Sequence, residues 1–200
     1  MADDVLGAAL PLPVPSPQWR DRLATRRSAP AQSLIAPGPS EAELNDILHL
    51  GARTPDHGKL FPWRFVILSP DARDRIAQAL TPLAQQQPDP GKAAKVLVKL
   101  TAPPVTVLVI SAPIAGHKVP VWEQELSTGA VCMNLEHAAG ALGYSASWIT
   151  DWYSYDPQAT ALFGVRDGER IAGFIHIGTL TEPPLERPRP DMAGKVTRLG

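Results

Sequence analysis

VWEQELSTGAVCMNLEHAAGAL, residues 121–142, is the stretch on which the fold turns. Trp122, Leu126, Ala130, Met133, Leu135, Ala138 and Leu142 recur at helical spacing, and the apolar surface they make extends over more than one face. A helix of that kind needs cover on more than one side, so it is expected to be the buried axis of a domain or of a dimer. No proline interrupts the chain between Val121 and Asp156. Upstream, Val105 to Ile110 is a largely apolar, β-branched-rich run between Pro104 and Pro113, the pattern of a central strand buried on both faces.

Working outward, Tyr144 to Ile149 and Arg170 to Leu180 read as strands, with Pro157 to Phe163 a short helix between them. Trp63 to Leu68 reads as a further strand. Ser69-Pro70 then caps a helix carrying Ile76, Leu80 and Leu83, and Ala93 to Leu100 is expected to be helical. Ser40 and Glu43 make a capping box for a helix that ends between Gly51 and Thr54. Ser16-Pro17 opens a short basic helix over residues 16–27. About five helices with three or four short strands argue an α+β or α/β domain.

Composition narrows the function. The chain has 200 residues, 44% apolar and 20% charged, with a net charge of −1, which suits a globular domain without a global field for nucleic acid or anionic lipid. The single cysteine, Cys132, excludes an internal disulfide and a cysteine zinc cluster; on the apolar helix it is expected to be a buried, inert thiol. Asp3 and Asp4 stand where an export signal would be basic, and the Val5 to Leu12 run is short. No run approaches the roughly 20 apolar residues of a membrane span. A cytoplasmic protein is expected. Seven of the 22 prolines precede residue 40 and four more lie between 183 and 190, so both ends read as extended arms.

Candidate chemistry clusters in a few places. Arg26-Arg27-Ser28 at a helix exit is a candidate phosphate clamp, since each guanidinium pairs two oxygens; the plain alternative is a solvated basic helix end. Arg53-Thr54-Pro55-Asp56-His57-Gly58-Lys59 is a loop with several charged or titratable groups, and Asp56 and His57 are candidate proton donors; a polar surface turn explains it equally. Glu123 and Glu125 suit the first turns of the long helix, where the dipole favours acids. His49, His137 and His176 fall within regular elements and read as structural. There is no G-x-S-x-G elbow, P-loop, strand-linked G-x-G-x-x-G or H-E-x-x-H.

The ordered set of motifs carries more than any one of them. Arg26-Arg27-Ser28, Arg53-Thr54-Pro55-Asp56-His57 with Pro62-Trp63-Arg64-Phe65, His117 to Glu125, Trp148-Ile149-Thr150 and Gly173 to Thr179 together resemble the flavin-dependent nitroreductase family, and within it the compact YdjA-like branch. The resemblance covers about residues 18–180, with residues 1–17 a proline-rich arm and 181–200 a C-terminal extension. It implies an α+β fold, a central sheet flanked by helices, in an intertwined homodimer with one FMN in each cleft between subunits. By position, Arg26, Arg27 and Ser28 would hold the FMN phosphate, and Arg53 and His57 would reach the same flavin from the other subunit. Trp148, Ile149 and Thr150 would flank the flavin; Ile149 replaces the family's usual basic residue. Ala138, Ala139, Gly140, Ala141, Leu142 and Gly143 match a segment assigned to NADP in relatives, which helix packing also explains. The resemblance implies ping-pong hydride transfer through flavin N5, from NADH or NADPH to a nitroaromatic, quinone or similar small acceptor. No side-chain nucleophile and no metal is expected. Other flavin chemistry on the same scaffold, such as reductive dehalogenation, or a non-catalytic flavin-binding or storage protein, is the alternative.

Overall fold

Helix caps and strand patterning place eleven elements in a computed structural model that describes residues 6–200. Asp3, Asp4 and the start of the Val5 to Leu12 run lie outside the described residues. In chain order the elements are α1 (Pro17–Thr25), α2 (Glu41–Gly51), β1 (Trp63–Ile67), α3 (Pro70–Ala84), α4 (Pro90–Lys95), α5 (Val98–Thr101), β2 (Val105–Ser111), α6 (Val121–Ala141), β3 (Ser145–Ile149), α7 (Pro157–Leu162) and β4 (Arg170–Gly178). Ser16, Ser69 and Asp89 each cap the helix that follows by accepting from a backbone N–H of its first turn. Ser40 and Glu43 close the expected capping box. The helix expected over 93–100 is two short helices instead, because the chain turns at Val96 and Leu97.

The four strands form one sheet in the order β1-β2-β4-β3, antiparallel throughout. The architecture is therefore α+β. β2 and β4 are central and bury side chains on both faces. Val107, Val109, Ile175 and Ile177 meet α2 and α6 through Ile47, Val131, Cys132 and Leu135. Leu108, Ile110 and Phe174 meet α3, α5 and α7 through Leu80, Leu100, Ala159 and Phe163. The register slips between Val109 and Ile110, so that Ala172 is an extra residue in β4. This bulge reverses the alternation and puts Ile171 on the same face as Phe174.

One polar chain runs through this core. Arg73 on α3 is 2% exposed and donates to the carbonyls of Leu100, Pro103 and Pro104 and to Thr106 Oγ1. It thus caps the C-terminal end of α5, where helix carbonyls lack intrahelical partners. Thr106 Oγ1 in turn lies 2.9 Å from His176 Nδ1. His176 is buried and stacks on Phe174. Burial, then the nearby Arg73 charge, push its pKa down to about 3, so the ring is neutral. That is the structural histidine expected at this position.

Candidate functional site

Two groups of site residues form along α6. The first begins where α1 stops. Arg26 Nη1 donates to Ser28 Oγ (3.4 Å) and pairs with Glu136 Oε2 of α6 at 3.3 Å. Ala29 N–H donates to the Ala146 carbonyl, which lays the Arg-Arg-Ser segment alongside β3. Arg22, Arg26, Arg27, His137, Gly140 and Tyr144 line a cleft here of about 220 Å³. Arg22 rests against Gly140: a Cβ on that glycine would lie 2.8 Å from the guanidinium. The C-terminal tail crosses the same spot, with Arg27 Nε donating to the Leu185 carbonyl at 2.8 Å and Arg189 to the Arg26 carbonyl at 3.1 Å.

Trp148-Ile149-Thr150 joins this first group. β3 is a sheet edge, and its backbone groups at alternate residues face outward. Trp148 N–H donates to Glu136 Oε1 at 3.1 Å, so one carboxylate touches both Arg26 and the strand. The Trp148 indole lies across Gly173 and donates to the carbonyl of the bulged Ala172 at 3.0 Å. A Cβ on Gly173 would come within 2.2 Å of the indole nitrogen, so only glycine permits this approach. Thr150 Oγ1 accepts from the Tyr155 hydroxyl. Of the 138–143 segment, Gly140 faces the cleft, whereas Ala138 and Ala139 belong to the core.

The second group surrounds the loop between α2 and β1. Thr54 is buried; its hydroxyl donates to the Gly51 carbonyl and accepts from Asn134 Nδ2 at 2.7 Å. Asp56 accepts from Phe61 N–H at 2.8 Å, closing the loop on itself. Lys59 and Phe61 both hold positive φ, a conformation costing roughly 1 kcal/mol or more in a non-glycine residue. His57 Nδ1–H donates to Glu123 Oε2 at 2.8 Å. Glu123 therefore ties the loop to α6, beyond its effect on the helix dipole. Gln124 pins the chain entering α6 through Ile114 and the Val119 carbonyl. Arg53 sits at the base of the loop, its N–H donating to the Leu50 carbonyl.

The thirteen steps from Glu123 to Glu136 rise roughly 20 Å along the helix. Arg26, Arg27, Ser28 and Trp148 are brought together on one chain around Glu136, whereas His57 is anchored toward the opposite end of α6; Arg53 directly precedes Thr54, which bonds Asn134 of α6. Among the described residues no group of histidines, cysteines and acids could hold a metal ion, and no helix is long and apolar enough to cross a membrane. Burial pushes the Cys132 thiol up to about 12, as expected of an inert cysteine.

Sequence reasoning missed Glu136, Arg22 and the tail. The signal for Glu136 was present: it lies four residues after Cys132 and three before Ala139, on a buried face of α6. An acid at such a position asks for a partner.

Fold and cleft together place the chain among α+β proteins with helices on both faces of one sheet and a cationic site beside its edge, and comparison with known proteins gives the class. The sequence model described as the nitroreductase family matches residues 24–179. The "Putative NAD(P)H nitroreductase YdjA" of Escherichia coli (strain K12) is 34% identical over 161 residues, covering 78% of this chain and 85% of that one. A Haemophilus influenzae protein named "Putative NAD(P)H nitroreductase" is 31% identical over 160 residues, with the same coverages. The nitroreductase-like family protein of Bacillus cereus superposes with a TM-score of 0.79 at 19% identity, covering 96% of this chain and 99% of that one. A Bacteroides fragilis nitroreductase solved with bound FMN gives 0.72 at 18% identity, covering 92% and 100%. The chain belongs to the nitroreductase family, and it is an oxidoreductase similar to the YdjA-like members.

Proposed function

We propose that the protein is an FMN-dependent NAD(P)H oxidoreductase that works as a homodimer, with each cofactor site shared between two chains. The observation that carries the reading is the cleft beside β3. Three guanidiniums, Arg22, Arg26 and Arg27, converge there with Ser28 close by, a donor set suited to a phosphate. At about 220 Å³ the cleft falls below the roughly 300–1,000 Å³ of sites that enclose a whole ligand. It fits the anionic end of FMN and leaves the ring to be covered by something else.

A second chain supplies that cover in this reading. Arg53 and His57, the latter anchored at Glu123 toward the opposite end of α6 from the clamp, would approach the ring of the partner's cofactor. α1 buries none of its residues, and Trp19, Leu23, Trp122 and Leu126 expose large apolar surfaces that a partner would cover. Trp148 and its neighbours would flank the flavin through the backbone; with N–H of Trp148 already bonded to Glu136, its carbonyl remains on the outward edge. Ile149 offers no charge. Gly140 and the residues after it are the part of the 138–143 segment open to a nicotinamide ligand. Residues 6–17 and the extension after 180 would pack along the dimer seam.

FMN, when bound, would supply the redox chemistry of a ping-pong transfer from NADH or NADPH to a nitroaromatic, quinone or similar acceptor. The protein's residues bind and orient. Arg26, Arg27 and Ser28 hold the phosphate, and Arg53 places positive charge toward the ring. His57, fixed by Glu123, donates from Nδ1 and leaves Nε2 for the ligand.

The reading is tested by adding NADH or NADPH anaerobically to the FMN-loaded protein. The visible flavin absorbance is expected to bleach and to return on addition of a nitroaromatic or quinone. Bound flavin that neither nicotinamide bleaches would overturn the enzyme reading in favour of a flavin-binding protein.

A further inference from the structure

We propose that Glu136 is a positioning residue for the cofactor site, fixing Arg26 of the phosphate clamp against the Trp148 backbone; this rests on the FMN reading above. The carboxylate is 6% exposed and sits on α6 between the two elements it joins. Oε2 pairs with Arg26 Nη1 at 3.3 Å, and Oε1 accepts the Trp148 N–H at 3.1 Å. Through Arg26 the link continues to Ser28, which accepts from the same Nη1 at 3.4 Å. One side chain thus sets the spacing between the segment that would meet the phosphate and the strand that would flank the ring.

Stability alone does not account for it. A buried ion pair seldom stabilises more than a well-packed apolar substitute, because desolvation offsets the attraction. Here desolvation outweighs the favourable partners: burial pushes the Glu136 pKa up, and Arg26 and the Trp148 N–H only partly restore it. Glu136 lines the same cleft, but a carboxylate repels a phosphate, so it does not itself hold the anionic end of FMN. What remains is action through Arg26. A free arginine at the end of a short helix loses rotamer entropy when it clamps an anion; one already held does not.

Two accounts of Glu136 predict opposite signs. If it only offsets positive charge, Glu136→Gln tightens FMN. If it positions Arg26, the same change weakens FMN and spares riboflavin, which lacks the phosphate. Flavin fluorescence titration of the apoprotein with FMN and with riboflavin separates them. The expected result is FMN binding at least about tenfold weaker in the variant, a difference near 1.4 kcal/mol, with riboflavin changed by less than about twofold. In an Arg26→Ala background the same substitution should add less than about twofold. Glu136→Asp keeps the charge but shortens the reach, and it is expected to show the same selective loss of FMN, which keeps the comparison available if the glutamine variant does not fold. Unchanged or tighter FMN binding, equal loss of both flavins, or an undiminished effect without Arg26 would each overturn the assignment. Wild-type protein that binds no FMN would overturn it together with the function it rests on, whereas normal wild-type binding with an unaffected variant would overturn this inference alone.

Discussion

Replacing Arg26 and Ser28 together with alanine is expected to lower FMN affinity at least tenfold while leaving the fold in place. Each charge-assisted hydrogen bond to a phosphate is worth about 1.5–3 kcal/mol, and about 1.4 kcal/mol is a factor of ten. Loss of Arg26 strands Glu136 without its charged partner. Burial already holds that carboxyl's pKa up, so the group can take a proton rather than remain a buried bare charge. Ser28 lies beside the 29–31 segment, whose bond to Ala146 uses backbone atoms and survives the change. Calorimetric titration with FMN measures the affinity, and far-UV circular dichroism checks the fold. An unchanged titration would remove these residues from the phosphate site.

Acid should destabilise the protein through His176. Its folded pKa is pushed down to about 3, whereas the unfolded chain takes up a proton near the ordinary value of 6.5. Below that ordinary value the unfolded state therefore binds the proton that the folded state refuses, and stability falls as the pH falls toward the folded pKa. The slope approaches about 1.4 kcal/mol per pH unit, which gives a loss of roughly 2 kcal/mol by about pH 5. Arg73 contributes, because its guanidinium lies two hydrogen bonds away through Thr106. Glu136, with its pKa raised, works in the opposite direction, so the comparison must be with a variant. Urea unfolding of wild type and His176→Gln at about pH 7 and about pH 5 isolates the histidine. The pH penalty should shrink in the variant by roughly 2 kcal/mol; an identical penalty in both would show that His176 does not titrate in this way.

The elements were legible wherever a local signal carried them. Ser40 with Glu43, Ser69-Pro70 and Ser16-Pro17 mark helix starts that depend only on neighbouring residues. β2 was legible because burial on both faces leaves no polar alternation to confuse it. α6 was legible as a long helix, and its exposed Trp122 and Leu126 bear on why its apolar residues spread beyond one face. Sheet order was not readable, since pairing joins β2 to β4 between residues 59 to 72 positions apart. The break at Val96 and Leu97 was missed because neither residue is a helix breaker; the turn is set by packing on α3.

The site divides in the same way. Arg26, Arg27, Ser28 and Trp148 meet through Glu136, which no motif flagged, because its partners lie 110 and 12 residues away. Arg73 carried no local signal of burial; its carbonyl partners come from a segment about thirty residues downstream. Local patterning cannot supply such partners. The glycine at 173 was visible within a motif, yet its role, making room for the Trp148 indole, is a contact between strands.

The central claim is that two chains together build each cofactor site. Sedimentation equilibrium of the purified protein, with and without added FMN and with flavin content measured on the same sample, tests it most directly. The account predicts a two-chain species carrying one FMN per chain. A single-chain species that takes up no FMN would contradict it.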